Sequence, residues 1–132
     1  MISAAITEKP QQIMKLFASL KKIREYERGQ LPFLKSIIDY DIVIEVGYAE
    51  ELGNPLTLKQ LLLLKLSSRT TVRRKLSRLI REGVIKTRKN ARDGRSSHLL
   101  IAPTSLKTFT KYGAAAAATF AAFSAAASAL LS

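Results

Sequence analysis

The sequence contains no cysteine. That absence excludes a disulfide framework, a thiolate metal site and a cysteine nucleophile, and it fits a reducing compartment. Histidine is almost missing too. His98 stands alone and cannot build an imidazole metal cluster by itself. Acid is scarce, with 10 Asp and Glu against 22 Lys and Arg, giving a net charge of +12. The first ten residues, Met1 to Pro10, lack the basic start and long apolar run of a secretory signal. From Gly113 to Ser132 the chain is uncharged and mostly alanine, with only Phe120, Phe123, Leu130 and Leu131 strongly apolar. Alanine adds little to bilayer insertion, so no membrane partner is expected.

What is present is a folded composition, 47% hydrophobic and 24% charged, in 132 residues. That length suits one domain with a modest core. The positive charge is concentrated. Residues 59 to 95 hold thirteen Lys or Arg against only Glu82 and Asp93, whereas the rest of the chain holds nine against eight acids. A charge spread evenly would bear on solubility, but one gathered into a single stretch is a footprint for a polyanion.

Periodicity divides the chain into an N-terminal helical segment (1–30), a central domain (31–103) and a C-terminal alanine-rich helix (104–132). A first helix is expected from about Thr7, as its cap, to Arg28, with Pro10 in the first turn and Gly29 ending it. Its stripe is Ile13, Leu16, Phe17, Leu20 and Ile23. A second helix carries Phe33, Leu34, Ile37, Ile38, Asp41, Ile44 and Glu45, although Ile42-Val43-Ile44 is locally β-prone. Thr57 starts a short helix through Leu61 and Leu64, and Leu66-Ser67 turns the chain. Ser68 then caps a helix from Arg69 to Glu82, which Gly83 ends. Val84–Arg88 alternates as a strand, Lys89–Arg95 reads as a turn, and Ser97–Ile101 as the returning strand. The last helix opens at Pro103-Thr104 and carries Leu106, Phe109, Gly113, Ala116, Phe120, Phe123, Ala127 and Leu130 in an unbroken three-four alternation. Such a seam packs on another helix, in this chain or a second one.

Helix, turn, capped helix, strand, basic turn, strand is the order of a winged helix-turn-helix, mainly α with a small β-hairpin wing. At 100° per residue, Leu76, Leu79 and Ile80 lie within about 80° of Val72 and form a core stripe, while Ser77, Thr70, Arg81 and Arg74 lie about 140–200° away. The outer face is hydroxyl and guanidinium. Arginine can bond guanine bidentately, and Ser or Thr can reach bases or phosphates. Residues near the start of such a helix meet base edges, which points to Arg69, Thr70, Thr71, Arg73 and Arg74; Ser68 and Ser77 join them in the DNA-binding set, and Arg78 and Arg81 are read as phosphate contacts. In the projecting turn, Lys89, Arg92 and Arg95 suit the negative minor groove, and Asp93 is expected to orient an arginine. An ordinary solvated hairpin is the alternative.

Ser68-Arg69-Thr70-Thr71-Val72 leading to Leu76, Leu79 and Glu82-Gly83-Val84-Ile85, then Asp93-Gly94-Arg95 and Pro103-Thr104, resembles the MarR family of bacterial regulators. The resemblance covers about Leu56 to Tyr112, and the sequence departs from the family pattern at Leu61-Leu62-Leu63-Leu64 and in its alanine-rich tail. It implies a homodimer whose N- and C-terminal helices form the interface, a recognition helix over Arg69 to Ser77, a wing arginine at Arg95 with Asp93 as orienting acid, and a small-molecule effector.

Asp39 and Asp41 are read as solvated or helix-pairing acids, and no nucleophile-base-acid set or phosphate loop is visible. No enzyme and no cofactor are therefore expected. The function expected is a cytoplasmic, nucleoid-associated transcription regulator that binds double-stranded DNA. The alternatives are a DNA-binding module for replication or partition, and a winged-helix protein-interaction domain.

Overall fold

The computed structural model of the chain describes residues 2–132, and the side chains of residues 16–121, 123–125 and 127–132. Five helices and one hairpin follow in the order α1 (Ile2–Gln30), α2 (Ile37–Glu51), α3 (Leu58–Leu63), α4 (Arg69–Arg81), β1 (Ile85–Lys89), β2 (Ser97–Ile101) and α5 (Pro103–Leu131). The chain divides into two units, Pro32–Thr108, and Met1–Leu31 with Phe109–Ser132.

The unit Pro32–Thr108 is a winged helix-turn-helix. Each of its three helices begins on a side-chain cap. Ser36 and Asp39 form a reciprocal capping box at α2, as do Thr57 and Gln60 at α3, and the Ser68 hydroxyl accepts the Thr71 N–H at α4. Caps of this kind satisfy backbone donors that the first helical turn leaves unpaired. The β-prone run Ile42-Val43-Ile44 is helical, and it puts Ile42 and Val43 into the core beside Val46. Tertiary burial overrides the local preference. Phe33 and Leu34, expected within this helix, precede it, because Ser36 fixes the start.

Leu61 and Leu62 of α3, Val72, Leu76 and Leu79 of α4, Val84, Ile85 of β1, and Leu99, Leu100 and Ile101 of β2 join Ile42, Val43 and Val46 in the core. The leucine run thus splits into a buried pair and an exposed pair, Leu63 and Leu64. Between α3 and α4 the chain turns through Lys65 at φ 54°, a left-handed position that L side chains adopt at some cost. After α4, Gly83 takes φ 76° and its neighbour Val84 donates to the Leu79 carbonyl at 2.9 Å, closing the helix.

The strands pair antiparallel with Ile85 opposite Ile101 and Lys89 opposite Ser97. A short third edge forms where Leu99 donates to the Leu56 carbonyl at 2.7 Å and Thr57 bridges His98. Glu50 of α2 accepts the Ile101 N–H at 2.9 Å and ties the base of the wing to the helical layer. Strand β1 starts one residue later than the alternation suggests, since Val84 still belongs to the closure of α4.

In the other unit, α1 begins at Ile2 and not at Thr7. Ala4 and Ala5 favour helix, so the helix runs through Thr7 and places Pro10 inside it. Of the expected stripe, the Ile13 side chain lies outside the described residues. Leu16 and Ile23 are half-buried, whereas Phe17 and Leu20 are 62% and 41% exposed. Within this unit Tyr112 of α5 donates to Glu27 Oε2 at 2.6 Å, its ring 6.0 Å from that of Tyr26. Phe120 and Phe123 meet edge to face, with centroids 6.5 Å apart. No single helix among the described residues is long and apolar enough to cross a membrane.

Candidate nucleic-acid interface

Helix α4 presents two chemically distinct faces. Val72, Leu76 and Leu79 are buried; the opposite side exposes Thr70, Arg74, Ser77 and Arg81 to solvent, and Arg69 and Arg73 are exposed on a flank. Ser68 and Thr71 sit at the start of the helix in a different role. The Ser68 hydroxyl accepts the Thr71 N–H at 3.1 Å and donates to Thr71 Oγ1 at 2.8 Å. Both hydroxyls are occupied by the cap, which orients the first turn.

Arg78 does not point outward with the other arginines. Its side chain is only 18% exposed, and its guanidinium meets three oxygens, two by hydrogen bonds and one by an ion pair. Nη2 lies 2.8 Å from Asp39 Oδ1 and donates to the Phe33 carbonyl at 3.1 Å, while Nη1 donates to Glu82 Oε2 at 2.6 Å. Asp39 in turn is completely buried. Of the two readings of this acid, solvated or helix-pairing, the second holds: it is an interior charge, held there because Arg78, with Lys75 at 3.8 Å, neutralises it. The arginine read as a phosphate contact is spent on that acid.

The wing tip is shaped by two short side chains. Asn90 Oδ1 accepts the Arg92 N–H and Asp93 Oδ1 accepts the Arg95 N–H, both at 2.9 Å. These are turns in which a side chain mimics the backbone. Asp93 was expected to hold a guanidinium; it holds a backbone amide instead, and among the described residues no ion pair joins it to an arginine. Lys89, Arg92 and Arg95 are exposed.

A groove of about 770 Å³ runs between α3, α4 and the hairpin, with Lys59, Gln60, Arg73, Ser77, Thr87 and Arg95 in its walls. It gathers Arg73, Ser77, Asp93 and Arg95 from the expected set; Arg69, Thr70, Arg74, Arg81, Lys89 and Arg92 lie outside its walls. Lys59 is an addition. It opens the basic stretch in the sequence, but its position opposite α4 depends on how α3 packs and is not visible in local spacing. No group of three His, Cys, Asp or Glu that could hold a metal occurs among the described residues.

The sequence matches no protein-family model and no curated protein. Solved structures do match. The transcriptional regulator Tm0710 from Thermotoga maritima superposes with a TM-score of 0.60 at 15% identity, over 89% of this chain and 80% of that one. The MarR family transcription regulator SP03579 gives 0.56 at 24% identity, over 92% and 82%. AbsC, a MarR family transcriptional regulator from Streptomyces coelicolor, gives 0.53 at 17% identity, over 89% and 78%. The likeness is one of fold. At these identities it fixes the winged helix-turn-helix architecture and leaves the roles of individual side chains to the geometry above.

Proposed function

We propose that this chain is a non-enzymatic, cytoplasmic transcription regulator that binds double-stranded DNA in a sequence-specific manner. The observation that carries the reading is that exposed Arg73 of α4 and Arg95 of the wing share the walls of one groove, with further exposed guanidiniums on α4 beside it. A helix seated in the major groove places its wing beside the adjacent minor groove, and the phosphate strand between them passes the groove walls. Arg73 and Arg74 would read base edges, and Arg69, Arg81, Lys59 and Lys89 would meet phosphates. The regulators of similar fold support a transcriptional role over a replication or partition module.

One helix of this length spans too few base pairs to select a genomic site, so two copies related by a dyad are proposed. The exposed Phe17 and Leu20 on α1 and the 54–55% exposed Leu106 and Leu130 on α5 supply apolar surface for a second copy. Phe17→Glu with Leu20→Glu alters side chains that the lone chain leaves in water, so its fold should survive. Sedimentation at micromolar concentration should find a dimeric wild type and a monomeric variant. A monomeric wild type would contradict the dimer.

Selection of bound duplexes from a randomised pool tests the function itself. The expected outcome is a near-palindromic consensus with half-sites about one helical turn apart. A pool that stays random after several rounds would count against sequence-specific binding.

A further inference from the structure

Asp39 is a buried carboxylate that the proposed DNA-binding face does not use. Its Oδ2 accepts the Lys35 and Ser36 N–H groups, each at 3.0 Å, and so caps the start of α2. Its Oδ1 faces the Arg78 guanidinium of α4 at 2.8 Å as an ion pair without hydrogen-bond alignment. One side chain therefore grips two helices. Arg78 repeats the arrangement from the other side, reaching the Phe33 carbonyl ahead of α2 and Glu82 at the end of α4. The grip falls on one flank of α4, while Arg74 and Arg81 leave from its outer side and Arg73 from the other flank.

We infer that the Asp39–Arg78 pair is a positioning device: it fixes the rotation and tilt of α4 on α2, and thereby the direction in which the outer guanidiniums are presented to DNA. The inference rests on the DNA-binding reading above and assigns Arg78 no contact with phosphate. Apolar contacts among Val72, Leu76 and Leu79 are non-directional and tolerate small rotations of the helix. A guanidinium hydrogen-bonded to two fixed oxygens and ion-paired with a buried carboxylate tolerates few, because rotation breaks those bonds and draws the charge away from Asp39. Lys75, 3.8 Å from the same Asp39 oxygen, adds charge without comparable direction.

Asp39→Asn separates this role from electrostatics. The change removes a negative charge, which by charge alone strengthens binding to any polyanion. It also turns an amide donor toward either the α2 cap or Arg78, where donors already stand. If the pair positions α4, affinity for a selected duplex falls about tenfold or more, the scale of one lost base contact, while affinity for random duplex stays level or rises. Simple loss of folded protein would lower both together and leave their ratio unchanged. Arg78→Lys, which keeps the charge but cannot span the Phe33 carbonyl, Glu82 and Asp39 together, should lower the ratio too. Arg78→Gln should leave the salt dependence unchanged, whereas a lost phosphate contact would reduce its slope by about one per copy.

A measurement without DNA keeps the inference separable from the functional reading. In amide hydrogen exchange, Asp39→Asn should lose protection at the first turn of α2 and along α4, with the β1–β2 ladder retained. Unchanged protection along α4 would overturn the inference whether or not the protein binds DNA. So would an unaltered ratio of specific to random affinity in both Asp39→Asn and Arg78→Lys. Failure of the wild type to select any duplex, with α4 protection lost in the variant, would overturn the functional reading and leave the clamp standing.

Discussion

Arg73→Ala combined with Arg74→Ala is expected to remove sequence-specific binding while leaving the fold intact. Each guanidinium that reads a base edge contributes about 1–3 kcal/mol of discrimination, so the pair should cost affinity for a selected duplex far more than for a random one. Both side chains are exposed and make no ion pair with an acid among the described residues. Changes at such positions usually shift stability by no more than about 0.5 kcal/mol. Fluorescence anisotropy on the two duplexes, with a thermal melt as control, reads the result. Equal losses on both duplexes would assign these arginines to phosphate rather than to bases.

Arg78→Ala should behave in the opposite manner, with the largest loss appearing in stability. Truncation leaves Asp39 buried beside only the more distant Lys75, and it strips a donor from the Phe33 carbonyl. Removing one partner of a buried pair costs about 3–5 kcal/mol. That is a large share of the roughly 5–15 kcal/mol that holds a domain together. Urea unfolding should show it as a lower midpoint with an unchanged slope. A loss below about 1 kcal/mol would mean that Arg78 behaves as an ordinary surface arginine.

The contrast between these two sites follows what the sequence can and cannot convey. The faces of α4 were readable because a cap, a 3.6-residue period and a terminating glycine are all local signals: Ser68, the Val72–Leu76–Leu79 stripe and Gly83 stand where the pattern puts them. The hairpin was readable for the same reason, to within one residue at Ile85. The burial of Arg78 was not legible because two of its partners, Asp39 and the Phe33 carbonyl, come from a segment far away along the chain, and only Glu82 lies on its own helix. Helical spacing reports the side of α4 on which Arg78 lies, but not that a buried acid waits beside it. One local hint was present. Ser36 followed three residues later by Asp39 is a capping-box spacing, and an acid that caps from within an apolar helix is a candidate for burial. Asp93 differs again. Its acidity suggested an ion pair, yet the short side chain reaches the Arg95 amide two residues on before it reaches any guanidinium. Thr7 misled for a simpler reason, since a good capping residue is no cap when helix-forming residues precede it.

The central claim is that the basic face of α4 and the wing binds duplex DNA through its charge and its shape, and salt titration tests it most directly. A dimer neutralising roughly eight phosphates releases their counterions, so a plot of log affinity against log salt should fall with a slope of about −7. Random duplex should give a steep line of its own, and selected duplex should lie above it across the range. A flat dependence on salt, or no binding to duplex at low salt, would contradict the account.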